Sequence, residues 1–223
     1  MKKVRRLLLF TICSILLIGV STAGATTITI QPDDGKDSMT WSWGNINQGT
    51  TSLLLANYSN GMHNKGFLEF DLTSLIGTGA AVTNATISLF HSANNVSGAQ
   101  FGMYQVTSPW EELTITHDNL PSFNSTPFSI LNIADSDVMV RREWDLTNLV
   151  QDWVSGTYNN YGIMVQRIDQ SNPVAMISSS DSGDSNRDPK ITISYDPVPE
   201  PATMLLLGSG LIGLAGLRKK LKK

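Results

Sequence analysis

The chain has 223 residues, 41% hydrophobic and 16% charged, with a single cysteine. That composition can bury a core, and it excludes a disulfide scaffold, a collagen-like fibre and a polar disordered tail. The formal net charge of -3 conceals a segregation, because nine of the sixteen Lys and Arg lie at the two ends. The interior holds all nineteen acidic residues with only seven basic ones, and so lacks the clustered cations that binding a nucleic-acid backbone requires.

The first predicted element is an export signal. Lys2, Lys3, Arg5 and Arg6 precede an apolar run from Leu7 to Val20, and Ala23-Gly24-Ala25 has the small-x-small form that a signal peptidase accepts. Residues 1–25 therefore read as a cleaved signal peptide, with the mature chain starting at Thr26. The run is short of the roughly 20 residues a membrane-spanning helix needs. Cys13 lies inside it, behind the bulky Ile12, so it is no lipid-attachment site and the mature chain carries no cysteine.

From Thr26 to Asp196 short β-rich segments alternate with clusters of Gly, Asn, Asp, Ser and Pro. Nine strands are predicted, at 26–30, 52–58, 65–72, 85–92, 99–106, 140–146, 161–168, 174–179 and 190–195, enough for two packed sheets. Ile87 and Leu89 oppose Ser88 and Phe90, and Ile163 and Val165 oppose Met164 and Gln166, the period of two that a half-buried strand shows. One segment breaks this period. Leu146, Leu149, Val150 and Trp153 fall at helical spacing behind Asp145, which predicts a short capped helix closing one end of a sandwich. Its phrase WDLTNLV at 144–150 echoes FDLTSLI at 70–76, but the flanks differ and a tandem array is excluded.

Candidate sugar-binding residues are aromatics flanked by polar groups, since a flat ring stacks on the apolar face of a pyranose while amides and charges bond its hydroxyls. Trp41 and Trp43 alternate about Ser42 and are expected to project from one face of a strand. Tyr58 and His63 border an Asn-Gly loop, and Lys65 and Arg167 are bases suited to an acidic sugar. Trp110, Trp144 and Trp153 are assigned to the core. For a metal, Asp181, Asp184, Asn186 and Asp188 offer hard oxygen ligands suited to calcium in one loop, DSGDSNRD, without EF-hand spacing. Asp33, Asp34 and Asp37 form a second such set, and a plain polar hairpin is the competing reading of the first.

No catalytic residue is assigned. The mature chain has no cysteine nucleophile and no G-x-S-x-G, and His63, His91 and His117 lack metal-ligand spacing. A hydrolase would have to assemble carboxylates such as Glu69 with Glu111 or Glu112 from distant strands, and a lyase would use a base such as His63 beside Lys65.

At the C-terminus, Val198-Pro199-Glu200-Pro201 is followed by a sixteen-residue apolar stretch from Ala202 to Leu217 and the basic tail RKKLKK. The positive-inside rule orients such a transmembrane helix with its tail in the cytoplasm, and Gly208, Gly210, Gly213 and Gly216 give it small faces. The three parts in this order closely resemble the PEP-CTERM sorting signal of Gram-negative bacteria that export exopolysaccharide. The resemblance implies that residues 197–223 are a sorting signal, that Pro199, Glu200 and Pro201 are its motif, and that an exosortase cuts near them. The domain would then pass from the inner membrane to the cell surface or extracellular matrix.

A second resemblance spans residues 26–196. FLEFDLTSL, ATISLF, WEELTIT, WDLTNLVQDWVSGTYNNYGIMV and DPKITISY, in that order, resemble the DNRLRE domain family, which is related to disaggregatase repeats and to carbohydrate-binding family 96. The resemblance implies an all-β, jelly-roll-like β-sandwich that binds polysaccharide or serves as a structural surface module. The sequence departs from that family at His117, where Trp is usual, and upstream of Glu69, where Lys65 is the nearest base. The chain is thus expected to be an exported, non-enzymatic protein that binds exopolysaccharide or another glycan, with calcium as its candidate cofactor and with signal peptidase and exosortase as processing partners. A structural or adhesive matrix protein with a protein partner is the alternative, and a polysaccharide lyase or hydrolase the third.

Overall fold

A computed structural model of the chain describes residues 24–31, 36–42, 44–59, 62–94, 99–133, 139–168, 174–198 and 208–210. Ala25–Asp196 forms one compact unit, and the two ends of the chain form another. Of the terminal unit only Gly24, Pro197, Val198 and the helical residues 208–210 are described. The expected signal peptide up to residue 23, the Pro199–Pro201 motif and most of the Ala202–Leu217 stretch lie outside the described residues. Among the described residues no helix is long and apolar enough to cross a membrane.

The unit is built from β1 (Thr26–Ile30), β2 (Asp37–Thr40), β3 (Leu53–Ser59), β4 (Met62–Leu68), β5 (Ala81–Asn94), β6 (Ala99–Gln105), β7 (Ser129–Ile133), β8 (Val140–Asp145), α1 (Thr147–Ser155), β9 (Ile163–Arg167), β10 (Val174–Ser178) and β11 (Lys190–Asp196). All pairings are antiparallel, and the strands form two sheets packed as a sandwich. In the first, β5 pairs with β11, β8 and β10, β11 continues to β1, and β10 to β3. The second runs β2-β4-β9-β6-β7. The β3–β4 hairpin, paired Asn57 to Asn64, Tyr58 to His63 and Ser59 to Met62, carries the chain from one sheet to the other.

Nine strands were expected and eleven are described. The additions are β2 and β7, and β2 shows why such a strand escapes a search for alternation. All four residues of Asp-Ser-Met-Thr are buried, so both of its faces are covered and no polar face marks it. Predicted strand 65–72 is instead β4 at 62–68. Phe70 and Leu72, at 3% and 1% exposure, continue the apolar alternation into the core after the ladder has ended.

The inward faces meet in one core. Ala85, Ile87 and Leu89 of β5, Ile191 and Ile193 of β11 and Trp144 of β8 lie opposite Leu68 of β4, Ile163 and Val165 of β9, and Phe101 and Met103 of β6. Each of the Leu, Ile, Val, Phe and Met side chains among them contributes about 1.5–3 kcal/mol by leaving water. A smaller cluster of Phe67, Tyr104, Val106, Trp110, Ile115 and Met164 covers part of the other face of the second sheet. Met164 does point away from the main core, as its alternation predicts, but this cluster buries it completely.

Helix α1 lies where the helical spacing places it and buries Leu149, Val150, Trp153 and Val154. Its side chains also satisfy β5 backbone donors, with Val82 N–H donating to Gln151 Oε1 at 2.7 Å and Ala85 N–H to Thr147 Oγ1 at 3.0 Å. Asp145 holds the start of the helix by accepting from Thr147 N–H at 2.8 Å and Thr147 Oγ1 at 2.6 Å. The earlier Asp-Leu-Thr phrase, which leads into a turn, makes the same two bonds, with Asp71 Oδ1 accepting from Thr73 N–H at 2.9 Å and Thr73 Oγ1 at 2.7 Å. The segments that follow the two phrases are tied together where Gly77 N–H donates to Val154 O at 3.0 Å.

The threonine bonds hold both carboxyls below the usual aspartate value of 3.8. A depressed carboxyl adds stability that is fully present above its unfolded value and is lost as pH falls through the folded one. Asp71→Ala and Asp145→Ala should each cost about 1 kcal/mol near neutral pH, as loss of a capping residue does. In urea titrations the deficit of each variant should shrink as pH falls below 3.8.

Candidate functional site

Two of the expected sugar-binding residues, His63 and Lys65, lie in the first half of β4. Lys65 stands opposite Thr40 of β2 on one side and Gln166 of β9 on the other, and Gln166 stands opposite Gly102 of β6. Directly opposed residues share a face, so Lys65 and Gln166 lie on the same outer face as Phe67, Met164 and Tyr104. His63, two residues before Lys65, shares that face. Burial holds both bases below their usual pKa ranges, and for His63 the Lys65 charge acts in the same direction. Such half-desolvated donors have already lost part of the water a ligand would displace.

Trp41 adjoins this row in sequence, one residue past Thr40. The two tryptophans were expected on a strand, but β2 ends at Thr40 and Ser42 already lies in a turn. A bridge between Thr40 and Asn47 closes the base of the resulting loop. Ser42 N–H and Ser42 Oγ both donate to Asn64 Oδ1, at 2.9 and 3.0 Å, which anchors the loop on β4. Trp41 is 39% exposed and lines a groove of about 280 Å³ with Gly44, Ile46 and Gln48. Trp43 and the side chain of Tyr58 lie outside the described residues. Tyr58 is placed through its backbone, opposite His63.

Arg167 requires a correction. It is wholly buried, on the same face of β9 as Ile163 and Val165 and opposite Phe101 of the main core, so it cannot meet a polymer at the surface. The period of two already gave this orientation, and reading the residue by its charge alone overrode it.

A second groove, of about 270 Å³, was not anticipated. It is lined by Gln105, Thr107, Thr157, Tyr158, Asn159 and Tyr161 at the turn after α1. Tyr158 is 52% exposed, and Asn159 Nδ2 donates to Tyr161 Oη at 3.1 Å. The sequence signal was present in the run Tyr158-Asn159-Asn160-Tyr161, aromatics flanking amides, which is the same criterion that selected Trp41 and Tyr58.

The acidic loop divides its residues. Asp184 is engaged locally, its Oδ1 accepting from Asn186 N–H and Asn186 Nδ2 at 3.1 Å each while its Oδ2 pairs with Arg187 Nε at 3.0 Å. Asp188 Oδ1 accepts from Ser182 Oγ at 3.0 Å, and Arg141 ties down the carbonyls of Asn186 and Asp188. Asp181 faces elsewhere. One carboxylate oxygen from each of Asp37, Glu112 and Asp181 lies within 4.8 Å of the others. Of the four loop residues expected to ligate calcium, only Asp181 belongs to this group.

Asp37 and Glu112 are 1% and 4% exposed. Asp37 Oδ2 accepts from Ser180 N–H at 2.6 Å, while Asp37 Oδ1 is buried with no hydrogen-bond partner among the described residues. Burial pushes the Asp37 carboxyl up to about 6, against the Ser180 hydrogen bonds, and the charges of Asp181 and Asp188 add to the rise. A sugar ring has no access to two carboxyls so buried, so this pair is unsuited to glycoside hydrolysis, which needs both groups flanking a bound bond. Glu69, another carboxylate singled out, pairs with Lys36 at 3.4 Å.

Comparison with known families gives two matches. The model of carbohydrate-binding module family 96 matches residues 15–195, and that of the PEP-CTERM protein-sorting motif matches residues 197–220. No curated protein matches the chain.

Proposed function

Because the chain belongs to carbohydrate-binding module family 96, we propose that its sandwich binds an extracellular polysaccharide through the outer face of β4 and the Trp41 loop, without catalysis. The carrying observation is the family match over the whole β unit. The sorting motif marks the chain as a secreted protein processed by exosortase. We place signal-peptide removal before Thr26 and the sorting cut at Pro199–Pro201, with the released domain at the surface or in the matrix of a Gram-negative cell that exports polysaccharide.

The geometry suits such a ligand. Trp41 offers an open ring beside the exposed Ile46, while Lys65, His63 and Gln166 supply donors and acceptors along the neighbouring strands. The interior of the chain is acidic, so an anionic polymer would have to rely on Lys65 to offset Coulomb repulsion. Affinity should then fall with added salt, whereas a neutral glycan would be insensitive to it.

Affinity gel electrophoresis against alginate, pectin, cellulose, chitin and the host exopolysaccharide tests the proposal. One polymer should retard the protein, and Trp41→Ala should weaken that binding about tenfold or more, the effect of removing an aromatic anchor. Equal retardation of Trp41→Ala, with loss on Tyr158→Ala, would move the site to the second groove. Retardation by no polymer would favour the structural or adhesive matrix protein.

A further inference from the structure

We propose that Asp37, Glu112 and Asp181 bind one calcium ion, which ties the start of β2, the turn after β6 and the turn between β10 and β11 into a single structural site.

The three ligand atoms lie within 4.8 Å of one another, about twice a Ca–O bond of 2.4 Å, so all of them fit around one ion. A cluster of acids alone would not establish a site, because exposed carboxylates gather without one. Here the second observation is Asp37 Oδ1, an orphaned oxygen on a side chain that is 1% exposed. Leaving a buried acceptor unmade is costly, and such groups call for an explanation such as a bound ion. Lys36, the base adjacent in sequence, is turned to Glu69 at 3.4 Å and to the Trp110 ring at 5.9 Å from its centroid.

The chemistry selects the ion. An all-oxygen donor set lacks the imidazole and thiolate that favour zinc or copper. Magnesium keeps most of its water and is seldom held by a buried protein cage, whereas calcium accepts several carboxylates in flexible geometry. Backbone pieces already fix the donors. Asn47 Nδ2 donates to Glu112 O at 2.6 Å, and Ser179 Oγ accepts from Asp181 N–H at 3.2 Å. The site is independent of the glycan reading and can stand if that reading fails.

The purified full-length chain, stripped with EDTA and dialysed, should bind one calcium by isothermal titration calorimetry. Its Tm should rise by about 5–10 °C at a hundredfold excess of calcium over Kd. Asp37→Asn and Asp181→Asn should each lose the titration heat and the Tm rise, whereas Asp184→Asn should keep both. Asp181 is exposed, so its variant keeps the test open if Asp37→Asn fails to fold. No calcium heat with the wild-type chain, an equal Tm rise with magnesium, or loss of binding in Asp184→Asn but not Asp181→Asn would overturn the assignment.

Discussion

Gly162→Ala should destabilise the domain by more than about 3 kcal/mol, lowering Tm by roughly 6–12 °C in calorimetry. Gly162 has φ +79°, a left-handed conformation that costs an L-residue about 1–2 kcal/mol. A Cβ there would also overlap the carbonyl oxygen of Leu68 and press on Glu69 Cα at 2.9 Å. Nothing flexible can yield, because both obstacles are backbone at the end of β4. Gly77 separates the two effects. Its φ is +74°, but a Cβ there has nothing within 4 Å, so Gly77→Ala should show only the conformational cost.

The consequence of Gly162 extends to the candidate glycan face. Asn160 Nδ2 donates to Phe70 O at 2.8 Å and Asn160 Oδ1 accepts from Gly162 N–H at 3.0 Å, which fixes where β9 begins. Val106 N–H then donates to Gly162 O at 3.1 Å, joining β9 to the end of β6. The start of β9 sets its register, and register decides that Gln166 faces outward and Arg167 inward. A variant that folded with β9 displaced by one residue would exchange the two. Loss of glycan retardation in Gly162→Ala at temperatures where the variant is still folded would show that the register, and not only stability, had changed.

Trp153→Ala should cost about 3–5 kcal/mol in urea denaturation, the range for deleting a buried tryptophan. Trp153 is 2% exposed and anchors α1 in the main core beside Leu149 and Val150. Its indole Nε1 has no hydrogen-bond partner among the described residues. Trp153→Phe should therefore lose area but no hydrogen bond, and cost about 1–2 kcal/mol. An equal loss for Phe and Ala would mean that the indole nitrogen is bonded in solution.

The parts of the fold that were legible share one property. Strands such as β1, β5 and β11 alternate because one face is drier than the other, and α1 announces itself by a change of period. Burial is written locally in these segments, residue by residue. The elements that were missed or misplaced lack that contrast: β2 is buried on both faces, and the run through Phe70 and Leu72 stays apolar after β4 has ended. For the candidate site, Trp41, Tyr58, His63 and Lys65 were selected by residue type, and their gathering on β4 follows from the β2–β4 and β3–β4 pairings. Arg167 shows the limit of residue type, since its position in the alternation outweighs its charge.

By itself the sequence determined the all-β class, the helix behind Asp145, the tryptophans of the core and the sorting motif, because each is encoded within a short window of the chain. Only the tertiary structure decided which polar residues meet. Asp37, Glu112 and Asp181 belong to three separate turns and strand ends, and Asp181 was grouped from sequence with Asp184, Asn186 and Asp188, its neighbours in the chain. What brings the three carboxylates together is the register of β2 on β4 and the stacking of the two sheets. These are through-space relations, set by the packing of the whole core, and no local period records them.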